Sequence, residues 1–256
     1  MENIRNELQS KFAEQFIDLG FYGIMNLACR FGKTKTALNC LSKTNNILVA
    51  YPELSIKNSW MNDVKKFKFN SKKFTYTTFM SFKKINKSYD VIIIDEIHLL
   101  SELQISAIAK YINDFKIKKV IGLSGTISEE TRLNLQARLN LKILVSYTFE
   151  QAIDDGVISD YVIKVVSTPL SRIKDIKVQW KGKEFYVSEK DSFDRLSDKI
   201  FNNLGNLKML RIQRMAVIKK SKSKVYLTKE VLKSLADDKV LIFSGLTEIA
   251  DSFGVP

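Results

Sequence analysis

The segment Val91–Ile94, followed at once by Asp95 and Glu96, most restricts what this 256-residue chain can fold into. Four consecutive β-branched residues are typical of a strand that is buried on both faces, as strands are in parallel sheets. Asp95 and Glu96 then lie at the carboxyl end of that strand, where open α/β sheets bind their ligands. A carboxylate at this edge can hold Mg²⁺ through water, and its neighbour can orient an attacking water. The alternative is a strand that ends in a solvated acidic loop.

A second motif, Gly32-Lys33-Thr34, favours the first interpretation. It lies between an apolar segment, residues 22–28, and a helix-like segment, residues 36–41, which is the strand, loop and helix order of a phosphate-binding loop. The backbone N–H groups of such a loop surround phosphate oxygens, and its lysine reaches the β- and γ-phosphates. The sequence therefore predicts ATP and Mg²⁺ as cofactors.

Each predicted site residue has a role in this scheme. Thr34 and Asp95 are the predicted Mg²⁺ ligands, and Glu96 is predicted to orient the attacking water beside Asp95 and Lys33. The predicted nucleotide-contacting loop comprises Cys29, Arg30, Phe31, Gly32, Lys33, Thr34 and Lys35. The full phosphate-loop pattern has a glycine five residues before Gly32, and this chain has Leu27 there.

The charge of the chain points to a polyanionic partner. With 41 basic and 28 acidic residues the formal net charge is +13, which favours nucleic acid over a membrane surface. The alternative is that the high lysine content reflects an AT-rich genome. The sequence shows no signal peptide and no apolar run of roughly 20 residues. We therefore expect a protein that is not secreted and that lies in the cytoplasm, the nucleoid or a viral factory.

The few cysteines and the single histidine limit the kinds of site that this chain can form. Cys29 and Cys40 are the two cysteines and make no metal or disulfide framework. His98 is the single histidine, which excludes sites that need two histidines.

Apolar and amphipathic segments alternate over the first ~145 residues, which is typical of βαβ units around a parallel sheet. The predicted strands are Ile24–Ala28, Ile47–Tyr51, Phe74–Thr78, Val91–Asp95, Val120–Ser124 and Ile143–Ser146. The predicted helices between them are Ser55–Phe67, Glu102–Phe115 and Ser128–Leu139.

After Val145 the pattern changes. The predicted elements are a short helix Phe149–Ile158, a strand Tyr161–Val166, a hairpin Ile176–Val187, helices over residues 189–220 and Thr228–Ala236, and a buried strand Val240–Ser244. The aromatic residues of the hairpin either stack on nucleic acid or pack in a small sheet. The basic residues between 208 and 224 either contact phosphates or form a solvated helix face.

Taken together, the motifs resemble those of superfamily-two helicases and translocases, whose motor has two RecA-like domains. Gly32-Lys33-Thr34 is similar to motif I, Asp95-Glu96-Ile97-His98 is a variant of the DExH box, and Ser124-Gly125-Thr126 resembles motif III, usually Ser-Ala-Thr. The resemblance implies that His98, Ser124, Gly125 and Thr126 couple the nucleotide state to nucleic-acid binding.

The resemblance also implies contacts outside the phosphate loop. Ala50-Tyr51-Pro52 with Trp60 resembles motif Ia, so Pro52 is expected to touch the nucleic-acid backbone, as are Thr77 and Thr78. Gln9 stands where the family often has an adenine-contacting glutamine.

Two departures from the family pattern stand out. Arg30 replaces the first glycine of the family's phosphate loop. The last arginine of the chain is Arg214, so the arginine finger that the second motor domain normally supplies is expected to be missing.

The resemblance implies an α/β fold in three parts. Residues 1–150 would form a RecA-like P-loop NTPase domain, a parallel sheet flanked by helices. Residues 151–190 would form a small mixed α+β connector with a strand and a hairpin. Residues 191–256 would form a basic helical segment and the start of a truncated second RecA-like domain. The stretch 147–161 is similar to the connector of DNA-directed branches, such as phage recombination helicases and restriction-enzyme helicase subunits, so DNA is favoured over RNA.

Three functions compete at this point. The first is an ATP-dependent nucleic-acid helicase or translocase. The second is a module that binds ATP and nucleic acid with little turnover and needs a second motor domain, from a longer parent or a partner protein. The third is a non-motor P-loop enzyme such as a small-molecule kinase, against which the Asp-Glu-Ile-His box argues.

Overall fold

The computed structural model describes residues 2–41, 44–180, 182–235, 240, 242–251 and 253. The chain divides into two compact units, Met1–Val162 and Ile163–Pro256. In the part of the chain that is described, no helix is long and apolar enough to cross a membrane.

The first unit is built on a six-stranded sheet. Its strands are β1 (Tyr22–Leu27), β2 (Ile47–Tyr51), β3 (Phe74–Thr78), β4 (Val91–Ile94), β5 (Val120–Ser124) and β6 (Ile143–Tyr147). All neighbours are parallel, in the order β3-β2-β4-β5-β1-β6. The six strands predicted from the sequence are thereby confirmed.

The described residues of this unit form six α-helices. They are α1 (Glu2–Asp18), α2 (Lys33–Asn39), α3 (Leu54–Lys66), α4 (Glu102–Asp114), α5 (Glu129–Leu139) and α6 (Phe149–Asp154). The predicted helix that starts near Ser128 begins one residue later, because the Ser128 side chain accepts a hydrogen bond from the Thr131 N–H and caps the helix. The long helix α1 was not predicted.

Strand β4 shows why the chain forms a sheet with helices on both faces. All four of its side chains are fully buried. Because side chains alternate along a strand, Val91 and Ile93 pack on the side of α1, α2 and α3, whereas Ile92 and Ile94 pack against α4 and α5. Burying an aliphatic side chain of this size stabilises the fold by roughly 1.5–3 kcal/mol.

The sheet order positions the predicted site. Strands β1 and β4 flank β5, so the loops that follow these three strands leave the same edge of the sheet side by side. A six-stranded parallel sheet with helices on both faces matches a RecA-like domain. The fold class predicted for this part of the chain is therefore confirmed.

The second unit has a different architecture. It contains the antiparallel strands β7 (Ile176–Trp180) and β8 (Lys183–Val187) and the helices α7 (Glu189–Phe201), α8 (Leu207–Lys219), α9 (Lys222–Ser234) and α10 (Thr247–Asp251). The predicted hairpin and the basic helical segment are confirmed. Phe185 and Tyr186 of the hairpin stay 37% and 56% exposed, so they do not form a buried face.

Two strand predictions after Val145 do not hold. The segment Tyr161–Val166 forms no strand, and its side chains are exposed. Its residues favour strands, but no neighbouring strand in the described residues pairs with it, and propensity alone does not form a sheet. Residues 240 and 242–244 also form no strand, and Leu241 lies outside the described residues. A second RecA-like domain therefore stays a prediction.

Candidate functional site

The loop between β1 and α2 carries the predicted phosphate contacts. Arg30 and Gly32 have left-handed backbones, with φ of 65° and 104°. This conformation is open to glycine but costs a residue such as arginine roughly 1–2 kcal/mol. Arg30 therefore adopts a backbone conformation that favours glycine, and its side chain is exposed.

Phe31 anchors this loop to the core. Its side chain is fully buried, and its ring lies 5.6 Å from that of Phe12 and 4.8 Å from that of Tyr147. Burial of this kind leaves the Phe31 side chain no surface to offer a nucleotide. The contribution of Phe31 is to hold the backbone between Arg30 and Gly32 in place.

A polar network joins the three loops at the carboxyl edge of the sheet. Lys33 Nζ lies 3.2 Å from Glu96 Oε1, although 62 residues separate the two positions in sequence. Glu96 Oε2 lies 3.5 Å from His98 Nδ1, and His98 Nδ1 lies 2.9 Å from Ser124 Oγ. The Ser124 hydroxyl also donates to the Thr126 carbonyl oxygen at 2.9 Å. The residues predicted for catalysis and for coupling are thus brought together.

Asp95 is held by two donors. Trp60 Nε1 on α3 donates to Asp95 Oδ2 at 2.8 Å, and the Glu96 N–H donates to Asp95 Oδ1 at 3.0 Å. Burial raises the pKa of Asp95, the hydrogen bond from Trp60 and the charge of Lys33 lower it, and the charge of Glu96 raises it. Asp95 is 8% exposed and Trp60 1% exposed, so this contact lies at the buried end of the site.

Glu96 has an unusual backbone. Its φ of 50° and ψ of 47° place a non-glycine residue in the left-handed region. The turn aims the Glu96 carboxylate back towards Lys33 and His98 instead of along the direction of β4. Backbone strain of this kind, roughly 1–3 kcal/mol, persists where the surrounding structure fixes it and is concentrated at functional sites.

Gly125 lies against the phosphate loop. A Cβ atom at Gly125 would sit 2.7 Å from Cys29 Sγ and 3.3 Å from Lys33 Nζ. The first distance is too short for a real contact, so a larger residue at this position would require Cys29 to shift. The loop after β5 therefore packs directly on the predicted phosphate loop.

A cavity of 260 Å³ opens on the other side of that loop. Its lining comprises Arg5, Asn6, Gln9, Arg30, Phe31, Gly32, Thr34, Lys35, Asp63, Lys66 and Phe67. Gln9 is 2% exposed, and its Nε2 donates to the Phe31 carbonyl oxygen at 2.7 Å. Gln9 Oε1 is buried and has no hydrogen-bond partner among the described residues. Lys35 Nζ, which also faces this cavity, donates to Asn6 Oδ1 at 2.6 Å.

Thr34 contacts a residue that the sequence did not identify. Burial raises the pKa of Asp63 on α3, and the charge of Lys66 and a hydrogen bond with the Thr34 side chain lower it. The Thr34 side chain is thus engaged with Asp63, whereas its predicted partner in Mg²⁺ binding, Asp95, is held by Trp60. Neither contact of α3 could be found from sequence spacing, because both depend on how that helix packs on the sheet.

The predicted nucleic-acid contacts lie at the carboxyl ends of β2 and β3. Pro52 is partly exposed just after β2. The Thr77 side chain is 6% exposed and donates to the Thr78 carbonyl oxygen at 3.3 Å, and Thr78 Oγ1 accepts from the Ser81 N–H. Both threonines serve the local turn in this structure, and their role towards nucleic acid stays a prediction.

The residues present fit a nucleotide with Mg²⁺. The buried, unpaired Gln9 Oε1 offers a hydrogen-bond acceptor, and the first N–H groups of α2 have no acceptor within their own helix. Lys33 is a cation, and Asp95 and Thr34 carry oxygen atoms of the kind that Mg²⁺ prefers as ligands. Over the described residues, no group of three or more His, Cys, Asp or Glu residues could hold a metal ion by itself.

Comparison with known proteins gives limited similarity. No protein-family model matches the chain, and no curated protein matches it. Among solved structures, the UvsW helicase from bacteriophage T4 is similar over 54% of this chain and 58% of that chain, with 16% identity and a TM-score of 0.43. The Pyrococcus furiosus Hef helicase domain is similar over 56% of this chain and 37% of that chain, with 14% identity and a TM-score of 0.45. The chain thus spans less than two thirds of each of these proteins.

Proposed function

We propose that this chain is the ATP-binding part of a nucleic-acid-dependent ATPase of the helicase and translocase type, acting on DNA. The observation that carries the proposal is the 3.2 Å approach of Lys33 to Glu96 at the carboxyl edge of a RecA-like sheet. A lysine from a strand–loop–helix segment and an acid from a neighbouring strand end are the parts that phosphoryl transfer from ATP requires.

Each residue has a task in this proposal. Bound Mg-ATP would supply the phosphoanhydride bond and the metal charge that stabilises its cleavage. Lys33 would turn from Glu96 to the phosphates, which would free the Glu96 carboxylate to orient a water. Asp95, fixed by Trp60, and Thr34 would hold Mg²⁺.

The coupling between the nucleotide state and nucleic-acid binding would run through His98. His98 Nδ1 lies between Glu96 and Ser124, so a change in the contacts of Glu96 would alter the contacts of the loop after β5. That loop also touches the phosphate loop through Gly125.

Nucleotide binding by the purified chain tests the phosphate-loop assignment. We expect Lys33→Ala to weaken Mg-ATP binding at least tenfold, because a charge-assisted contact to phosphate is lost. Lys118→Ala is the matched control, since Lys118 is an exposed lysine at the opposite edge of the sheet, just before β5. Unchanged affinity in Lys33→Ala, or an equal loss in both variants, would refute the assignment.

Turnover separates a motor from a binding module. Glu96→Gln is expected to keep Mg-ATP affinity and lose hydrolysis, since the amide cannot accept a proton from water. Hydrolysis by the full chain is then measured with no nucleic acid, with single-stranded DNA and with RNA of the same sequence. Stimulation by DNA above that by RNA supports the proposal. Binding without turnover in all three conditions would leave the module that needs a second motor domain.

A further inference from the structure

One strongly basic and aromatic segment extends beyond the proposed ATP site, although its Lys66 and Phe67 line the cavity beside the phosphate loop. Residues 65–73 contain five lysines, two phenylalanines and no acidic residue. They form the end of α3 and the connection to β3. This connection enters β3 at its amino end, whereas Thr77 and Thr78 stand at its carboxyl end, roughly 16 Å away for a five-residue strand.

Lys68 occupies a position that favours glycine. It lies two residues after the end of α3 with φ of 60°, and the Phe69 N–H donates to the Val64 carbonyl oxygen at 2.9 Å, which is the bond pattern of a left-handed helix cap. Glycine is the usual residue there because it adopts this backbone without strain. Because the Lys68 side chain is exposed, its replacement by glycine relieves backbone strain without removing a packed side chain.

A groove of 680 Å³ lies beside this helix end. Its lining comprises Met61, Lys65, Lys68, Phe69, Asn70, Ser71, Lys72 and Tyr76. The Tyr76 hydroxyl is buried and has no hydrogen-bond partner among the described residues. Strand β3 is an edge strand of the sheet, and Tyr76 stands on it. The lining therefore combines apolar and aromatic side chains with cations.

The cations of the groove are not neutralised. In the described part of the chain, Lys65, Lys68 and Lys72 form no salt bridge. The neighbouring lysines differ, since Lys73 Nζ donates to the Thr44 carbonyl oxygen and Lys66 Nζ lies over the Phe67 ring. Three unpaired cations within eight residues attract a ligand with several negative charges.

We propose that this groove is a second binding site for single-stranded nucleic acid, separate from the ATP site and its edge of the sheet. Lys65, Lys68 and Lys72 would contact successive phosphates, and a base would stack on Phe69. Cations that alternate with aromatic side chains are the pattern of surfaces that bind single strands without sequence preference. An acidic polypeptide would use the lysines, but it carries no bases to stack on Phe69. The site goes beyond the proposed function, because it requires neither ATP nor hydrolysis.

Substitution of Lys68 gives a test that does not rely on damaging the fold. Lys68→Gly removes one cation and relieves the backbone strain, so we expect a melting temperature about 2–4 °C higher. Affinity of the full chain for a labelled thymidine 20-mer, measured by anisotropy without nucleotide at about 0.15 M salt, is expected to fall about fourfold. That factor follows from a salt slope of roughly −0.7 per phosphate contact.

Lys116→Gly is the matched control. Lys116 lies two residues after the end of α4 with φ of 51°, and the Ile117 N–H donates to the Ile112 carbonyl oxygen in the same cap pattern. The Lys116→Gly variant loses one positive charge from the same backbone geometry, but outside the groove. We therefore expect a similar rise in melting temperature and an unchanged affinity for the oligonucleotide. Equal losses of affinity in Lys116→Gly and Lys68→Gly would show general attraction by net charge and would overturn the proposal.

Two further variants and one competitor complete the test. A triple variant that combines Lys65→Gln, Lys68→Gly and Lys72→Gln is expected to bind the oligonucleotide about 50-fold more weakly. The slope of its log affinity against log salt concentration is expected to be smaller by about 2. Phe69→Leu keeps an apolar side chain and removes the stacking surface, for an expected loss of about fivefold or more. Competition by polyglutamate as strong as by the oligonucleotide would instead make the groove a site for acidic polypeptides.

The outcome is independent of the ATP site. Lys33→Ala is expected to bind the oligonucleotide like the unmodified chain when no nucleotide is present, and Lys68→Gly is expected to bind Mg-ATP like the unmodified chain. Failure of the proposed ATPase function would thus leave the predicted nucleic-acid site unchanged. Failure of the predicted nucleic-acid site would likewise leave the proposed ATPase function unchanged.

Discussion

Replacing Trp60 with phenylalanine removes the N–H group that donates to Asp95 Oδ2 at 2.8 Å and leaves an aromatic ring in the core. Because Trp60 is 1% and Asp95 8% exposed, no bulk water replaces the lost donor. A hydrogen bond to a charged group contributes about 1.5–3 kcal/mol. The smaller ring forfeits about 1 kcal/mol of apolar contact. The expected loss in the free energy of unfolding is therefore about 2.5–4 kcal/mol.

A double-mutant cycle separates these two contributions. Urea unfolding, followed by circular dichroism without nucleotide, is measured for Trp60→Phe, Asp95→Ala and the double variant. In the Asp95→Ala background Trp60→Phe loses apolar contact but also removes a buried N–H that no longer has its acceptor, so the coupling energy between the two side chains is expected to be about 1.5 kcal/mol or more. A coupling energy near zero would refute the idea that Trp60 holds Asp95 through this hydrogen bond.

The pH dependence of the same variant has a defined sign. Burial raises the pKa of Asp95, and the hydrogen bond from Trp60 works against that rise. The native chain therefore holds this proton more tightly than the unfolded chain, so the contribution of Asp95 to stability falls as pH increases through the raised pKa. Trp60→Phe raises the pKa further. The loss in the free energy of unfolding that Trp60→Phe causes is thus expected to be larger at about pH 8 than at about pH 4. An equal loss at both pH values would contradict the role of Trp60 as a donor to the charged Asp95.

Three further predictions concern the phosphate loop and its neighbours. Arg30→Gly is expected to raise the free energy of unfolding by up to about 1 kcal/mol, because glycine adopts the left-handed backbone without strain, and thermal unfolding checks this. Gly125→Ala is expected to weaken Mg-ATP binding about tenfold or more through contacts with Cys29 Sγ and Lys33 Nζ, and Cys29→Ala in the same chain should restore it. Thiol labelling of the native chain is expected at exposed Cys29 and not at Cys40, whose pKa burial raises to about 12, and mass spectrometry identifies the labelled site.

The sheet and the edge that carries the site could be predicted because each rests on local sequence. Four β-branched residues in Val91–Ile94 predict a doubly buried strand, and the polar residues after it must then lie at the carboxyl edge. Lys33 follows another strand of the same sheet, so its approach to Glu96 follows from the parallel arrangement. The sequence did not predict that β5 separates β1 and β4, since strand order depends on pairing between distant segments.

The contacts of α3 show what sequence reasoning cannot reach. Trp60 and Asp63 lie three residues apart on one helix, and they contact Asp95 and Thr34, respectively. Both contacts depend on the rotation and height of α3 on the sheet, which the side-chain packing of the whole face decides. The strand predicted at Tyr161–Val166 failed for the related reason that a strand needs a partner, and its own residues do not reveal one.

Glu96 links stability and function at the centre of the site. Its left-handed backbone is strained, and the same turn directs its carboxylate to Lys33 and His98. Glu96→Ala keeps the strain and removes the carboxylate, whereas Glu96→Gly removes both. We therefore expect the free energy of unfolding of Glu96→Gly to be about 1 kcal/mol higher than that of Glu96→Ala. Neither variant is expected to hydrolyse ATP. Equal stability of the two variants in urea unfolding would mean that the turn stores no strain. A difference of the expected sign would mean that the chain gives up stability to aim this carboxylate.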